Sequence, residues 1–341
     1  MRPEYSLIIL TVAAGAGQGL FVFLATGDMA GFSRGSHVPP LTTVIGLAVA
    51  LTLTLIGMAA SFFHLTHKAR GIKAIRKWRF SWLSREVILL PVFVGGMVFY
   101  GFLYFMGAHP AIIQATGVAG VLVVLALFIS TAMIYGHLTV IREWGTAYTP
   151  LNFTLTGLIC GWAFGAALYQ MAPAPVGATL FNLRLFFVLA AAGLVVKLLY
   201  YRRNWRLYSP TTIQTALGIN HPRIRLMDTG SAYPTYNTEE YHYAGLKQKR
   251  GLMKGASMIL LYAVPMAALA WDYMAFLSGG QGLCMAPVAA VSALAGAFLE
   301  RWVFFVEGNH AQNLYYGNFP AEARPNPILQ SGKKDAPLPP A

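Results

Sequence analysis

The chain has 341 residues, of which 56% are hydrophobic and only 11% charged, against roughly 25% charged residues in soluble domains. That composition excludes a soluble globular enzyme, because the apolar blocks recur so evenly that no stretch between them could build a core of its own. The net charge of +13 would suggest nucleic acid in a soluble protein, but its distribution along this chain points to a membrane, and no nucleic-acid partner is expected.

Eight runs reach the roughly 20 apolar residues that a spanning helix needs. They are Leu7 to Gly27, Leu41 to Leu65, Val87 to Gly107, Ala111 to Tyr135, Leu151 to Met171, Leu180 to Tyr200, Gly255 to Leu277 and Leu283 to Val306. The strands of a closed barrel would alternate apolar and polar residues, and these runs do not. The expected fold is therefore an all-α integral membrane protein of eight transmembrane helices. Met1 to Ser6 shows no small-residue cleavage pattern, so the first helix is read as uncleaved. Small residues crowd Ala13 to Gly19 and Ala163 to Ala167, where they either let helix backbones approach or line a cofactor cleft. Cys160 and Cys284 fall inside apolar runs and are expected to pack as small hydrophobes without a disulfide. Residues 1–319 form one membrane domain with a long connection at 202–254. Residues 320–341 form a Pro-rich tail with no fold of its own.

Of the 25 Lys and Arg residues, 21 fall on the side that holds both termini and the second-to-third, fourth-to-fifth and sixth-to-seventh connections. The opposite loops hold only Arg34, with Arg184, Lys197 and Arg301 placed within helix ends. Cytoplasmic loops retain Lys and Arg during insertion, so both termini are expected in the cytoplasm.

No zinc spacing, phosphate loop, nucleophile elbow or HExxH motif is present. What remains is polar residues at helix ends, and ionisable groups at membrane depth are functional candidates by default. His64 closes the second run and Glu86 opens the third, so a short link could return them to one depth. An imidazole and a buried carboxylate suit a quinone, which needs hydrogen-bond partners and proton exchange. The plainer reading is a Glu86 that complements the third helix's dipole beside an interfacial His64. Seven bases between Lys68 and Arg85 suit anionic lipid heads or an acidic partner. A second cluster, Glu300 to His310, is read as a buried charge pairing, a proton route through Glu300, Glu307 and His310, or an interfacial belt of Trp302, Tyr315 and Tyr316.

A bis-His haem would need facing histidines in the hydrocarbon. His64, His137 and His310 lie at one set of helix ends and His109 at the other, so no haem is expected, though a His64–His137 pair stays open. The connection from Arg202 to Lys254 is read as a docking segment for a cytoplasmic partner. A transporter is the rival class. Pro91 and Pro265 could kink helices for it, but midplane charges are missing from this reading.

The opening Leu10 to Gly19, the Ser61 to Leu65 segment with Leu83-Ser84-Arg85-Glu86, the Thr215-Ala-Leu-Gly218 to Ile224-Arg225-Leu226 loop, and Glu300 to Glu307 together resemble the membrane anchor family of the dimethyl sulfoxide reductase type, in particular the anchors of cytoplasmic sulfite dehydrogenases. The resemblance covers nearly the whole chain. It implies a multi-pass anchor of the bacterial inner membrane without haem, bound to an iron–sulfur subunit that in turn contacts a molybdopterin catalytic subunit. It ties residues matching His64 and Glu86 to ubiquinone or menaquinone binding. Arg70 and Arg85 join that candidate site by location.

Overall fold

The computed structural model describes residues 3–33, 39–64, 72–171, 176–207, 213–219, 221, 224, 227, 249–278 and 285–310. Eight helices long and apolar enough to cross a membrane account for most of them: α1 Tyr5–Met29, α2 Pro40–His64, α3 Trp82–Phe105, α4 Pro110–Gly136, α5 Tyr148–Met171, α6 Val176–Trp205, α7 Arg250–Leu277 and α8 Ala286–Glu307. No strand occurs among the described residues. The all-α, eight-span expectation therefore holds, with several helices longer than their apolar runs. α3 begins at Trp82 rather than Val87 because the Ser81 hydroxyl accepts a hydrogen bond from Ser84 N at 3.3 Å, capping the helix ahead of its apolar stretch. α7 begins at Arg250, which puts Lys254 inside the helix. The tail at 320–341 and Cys284 lie outside the described residues.

α1 is the axis of the bundle. Within its most apolar window 83% of residues are buried, against 67% for α5 and α8 and about a third for the other five. Glycine explains how α5 approaches so closely. A Cβ on Gly19 would collide with the Gly157 carbonyl, and one on Gly161 would collide with the Gly19 backbone. Lipid gives helices no hydrophobic drive to associate, so such backbone contact is what holds the pair. Large side chains such as Phe99, Leu122, Val188 and Trp271 point outward to the lipid.

Two helices carry a π-turn, α1 at Leu10–Ala14 and α7 at Ile259–Ala263. A π-turn frees backbone groups, widens the helix and often marks a functional site. In α7 it precedes Pro265, whose missing N–H removes one rung of the ordinary ladder. Both π-turns lie in the half of the bundle nearer the α2–α3, α4–α5 and α6–α7 connections, called here the basic end.

The α4–α5 connection plugs that end. Trp144 is 2% exposed and its indole Nε1 donates to the Phe304 carbonyl at 2.8 Å. Its rings pack with Tyr135, Phe304 and Phe305 at centroid distances of 5.1–5.8 Å. The plug places aromatic bulk between the basic end and the polar groups beneath it.

Candidate functional site

Glu86 lies in the second turn of α3 and is 8% exposed. A carboxylate there is past the first turn, where the helix dipole acts, and the end of the helix is already served by Ser81. The dipole-complement reading therefore does not describe its position. Its Oε1 accepts from the Thr131 hydroxyl of α4 at 2.6 Å, and no cation pairs with it among the described residues.

Glu86 and Thr131 line a narrow cleft, part of it open to the surroundings. Leu10, Thr11 and Ala14 of the α1 π-turn form one wall, Gln18 lies one turn further on, and Phe128 and Phe153 supply aromatic faces. The π-turn matters here. Thr11 spends its hydroxyl on the Leu7 and Ile8 carbonyls at 3.0 and 3.2 Å, so this stretch of backbone is satisfied internally while it borders a polar cleft. A lining that combines a carboxylate, hydroxyls and an amide with two aromatic rings suits a flat ligand with polar edges.

A second polar group lies next to this cleft. Lys197 of α6 and Glu300 and Arg301 of α8 are 1–2% exposed. The Lys197 ammonium and the Arg301 guanidinium each donate to a different oxygen of Glu300. Lys197 is eight residues before the end of α6, roughly 12 Å along the axis. These groups therefore lie about two turns inside the spanning helices, not at their ends. The expectation that Lys197 and Arg301 lie at helix ends is corrected on this point. The Arg301 guanidinium stands over the Phe153 ring at 3.5 Å from its centroid, so one aromatic ring separates the cluster from the Glu86 cleft.

From the cluster, ionisable groups continue toward the basic end. Lys197 Nζ lies 5.1 and 5.6 Å from the Tyr200 and Tyr201 ring centroids, and Lys254 Nζ lies 4.8 Å from that of Tyr201. Lys254 pairs with Glu307, and Arg250 Nε approaches the same carboxylate at 4.0 Å. Glu300 and Glu307, two turns apart on α8, are thus joined through side chains of α6 and α7. Beyond them, Asn309 N donates to Glu143 Oε2 at 3.3 Å.

The chain matches the family model described as DMSO reductase anchor subunit (DmsC) over residues 1–317. This chain belongs to that family. It is 33% identical to the third component, C, of the sulfite dehydrogenase of Allochromatium vinosum over 330 residues, covering 93% of this chain and 99% of that one. It is also 27% identical to the anaerobic dimethyl sulfoxide reductase chain YnfH of Escherichia coli over 199 residues, covering 57% of this chain and 67% of that one. As a DmsC-family anchor it is a multi-pass membrane protein, in keeping with the eight spanning helices.

Glu86 lines the cleft; Arg85 does not. Arg85 turns back onto the link before α3, donating to the Trp78 and Arg79 carbonyls at 3.0 Å each and covering the Trp82 ring at 4.1 Å. His64 closes α2, but its side chain, like Arg70, lies outside the described residues. His310 follows Asn309 at the end of α8. Trp302 is 5% exposed and belongs to the core rather than to a headgroup belt; Tyr315 and Tyr316 lie outside the described residues. Lys197, Thr131 and Gln18 were missed. The signal for Lys197 was available, since an ammonium in the run Leu194 to Leu199 is as costly as any other charge at that depth.

Proposed function

We propose that this chain is the quinone-reactive anchor of a molybdoenzyme complex, passing electrons between the membrane quinone pool and an iron–sulfur subunit docked on its basic end. The observation that carries the reading is Glu86. A carboxylate 8% exposed, held by a neutral hydroxyl and bordering a cleft, is expensive in a membrane and is the kind of group that can exchange the protons that accompany quinone chemistry. Glu86, Thr131 and Gln18 would meet the polar edges of a bound ring, with Phe128 and Phe153 against its faces. His64 at the end of α2 would be the second proton-exchanging group, with Arg70 on the link and Arg85 in the first turn of α3. The quinone, when bound, supplies a carrier of two electrons and two protons. The protein's own part is to hold the ring, keep water out and relay protons.

The bias of 21 of 25 bases toward one side supports a basic end that faces the cytoplasm of a bacterium, with both termini there. A partner docked on that side has the shortest electron path to the cleft. The ladder Glu300, Lys197, Tyr201, Lys254 and Glu307 supports a proton route to the same surface, with His310 at its mouth. The relative named for sulfite dehydrogenase, aligned nearly end to end, favours sulfite as the partner's electron donor and quinone as acceptor. The relative named for dimethyl sulfoxide reductase keeps the reverse flow, quinol to an S-oxide, as the second reading. In either case Glu86→Gln and His64→Ala are expected to abolish quinone-coupled turnover of the complex in membranes. Turnover with an artificial dye, and assembly, should survive. Full quinone-coupled turnover in Glu86→Gln would overturn the site.

A further inference from the structure

The Lys197–Glu300–Arg301 cluster holds two cations and one anion. By formal charge it carries one positive charge in excess, almost fully buried within the bundle. Burying an unbalanced charge is strongly unfavourable unless something nearby compensates it. The Arg301 Nε proton is also buried without a hydrogen-bond partner among the described residues, which costs further stability. Neither feature is explained by packing, since a neutral side chain over Phe153 would cover the ring as well. Both point in one direction: Arg301 stands against the ring of Phe153, whose other surroundings include the cleft of Glu86.

The geometry points to Arg301 as a positioning residue that supplies the counter-charge for negative charge in the Glu86 cleft, with Glu300 and Lys197 fixing its place. With Glu86 ionised, the four groups balance. When Glu86 has taken up a proton and negative charge enters the cleft with an electron from the iron–sulfur partner, the excess charge of the cluster is the balancing one. Glu300 alone could not serve this end. It holds Arg301 in register, and Lys197 keeps the pair from becoming neutral. The ligand class that reports this field is a planar oxygen anion of quinone size. At a separation on the order of 10 Å and an effective dielectric near 20, one charge changes the binding of a monoanion by about tenfold.

This inference rests on the quinone reading of the cleft, and its test keeps the two apart. An ionised hydroxynaphthoquinone and its neutral methoxy ether are compared as inhibitors of quinone-coupled turnover, using the assembled complex in membranes. Arg301→Gln leaves a neutral Lys197–Glu300 pair. It should weaken inhibition by the anion about tenfold and leave the neutral ether nearly unchanged. Arg301→Lys should restore the preference for the anion. Lys197→Met removes an equal charge from farther away and should produce a smaller loss of the same kind, about fivefold. Equal changes for both inhibitors would show that Arg301 only supports packing, and no change for either would show that its field does not reach the cleft; each result overturns the inference. If Glu86→Gln retains full quinone-coupled turnover, the cleft itself is misassigned. If Glu86→Gln is inactive while Arg301→Gln keeps the anion preference, the cleft stands and the charge assignment falls.

Discussion

Glu86 and Glu300 are two glutamates buried in one bundle, yet their surroundings differ in kind. Glu300 is held by two cations from two helices; Glu86 meets the hydroxyl of Thr131 and a cleft. A carboxylate clamped between an ammonium and a guanidinium is a fixed charge that sets geometry and field. One that faces a neutral hydroxyl has no cation in direct contact to clamp its state, which leaves it able to exchange a proton. The distinction separates scaffold from chemistry more sharply than burial does, since both carboxylates are buried.

Exchanging the roles should expose the difference. Glu300→Ala leaves two buried cations unpaired, and is expected to cost about 3–5 kcal/mol of stability. That loss should appear as lower yield and a lower melting temperature of the purified complex. Replacing Lys197, Glu300 and Arg301 together with apolar residues of similar volume should recover much of it. Glu86→Gln should instead leave the melting temperature nearly unchanged and lower quinone-coupled turnover by about a hundredfold or more. If the two substitutions affect stability alike, the contrast between them is wrong. Thr131→Val is the subtler probe. It removes the donor to Glu86 with little change of shape and should cost about 1–2 kcal/mol, again with turnover more affected than melting.

The α1–α5 packing supplies a third probe, one that changes neither carboxylate nor its partners. Gly161→Leu would force α5 away from the Gly19 backbone. About 1–3 kcal/mol or more is expected from overpacking, read as a fall in melting temperature, with the ratio of quinone-coupled to dye-coupled turnover unchanged in what assembles. A changed ratio would mean that the α1–α5 contact shapes the cleft directly.

How much of this was visible beforehand depended on whether a property is written along the chain or across it. Spanning helices are written along it, since about 20 apolar residues in sequence carry the whole signal, and all eight were legible with boundaries a few residues short. Glu86 was legible as a carboxylate at the edge of an apolar run, but its partner Thr131 is 45 residues away. The Lys197–Glu300 pair spans 103 residues, and neither residue announces the other. Glu300 and Arg301 stood out as neighbours. That pair is already neutral, so nothing in it called for a third member from α6. The π-turn at Leu10–Ala14 has no signature in Leu-Thr-Val-Ala-Ala; it depends on what α1 packs against. Ser81 could have moved the start of α3 earlier, because a Ser before a helical run is a capping signal.

The smallest effect expected is at the surface of the basic end, in the α4–α5 connection. Burial is the main cause that raises the Glu143 carboxyl above its ordinary range, against the opposing pull of backbone N–H donors that include Asn309 N. A carboxyl raised in the folded state favours its neutral form there. Its contribution to stability is therefore complete below the ordinary carboxylate pKa and is lost as the pH climbs through the raised value. Melting temperatures of the wild-type complex should fall across that interval, and Glu143→Gln, which keeps an oxygen acceptor without the charge, should flatten the fall. The variant should be the more stable of the two on the alkaline side, and the difference should shrink toward acid. A variant that melts lower at every pH would show instead that the ionised carboxylate is what ties Asn309, and with it the end of α8, to the plug around Trp144.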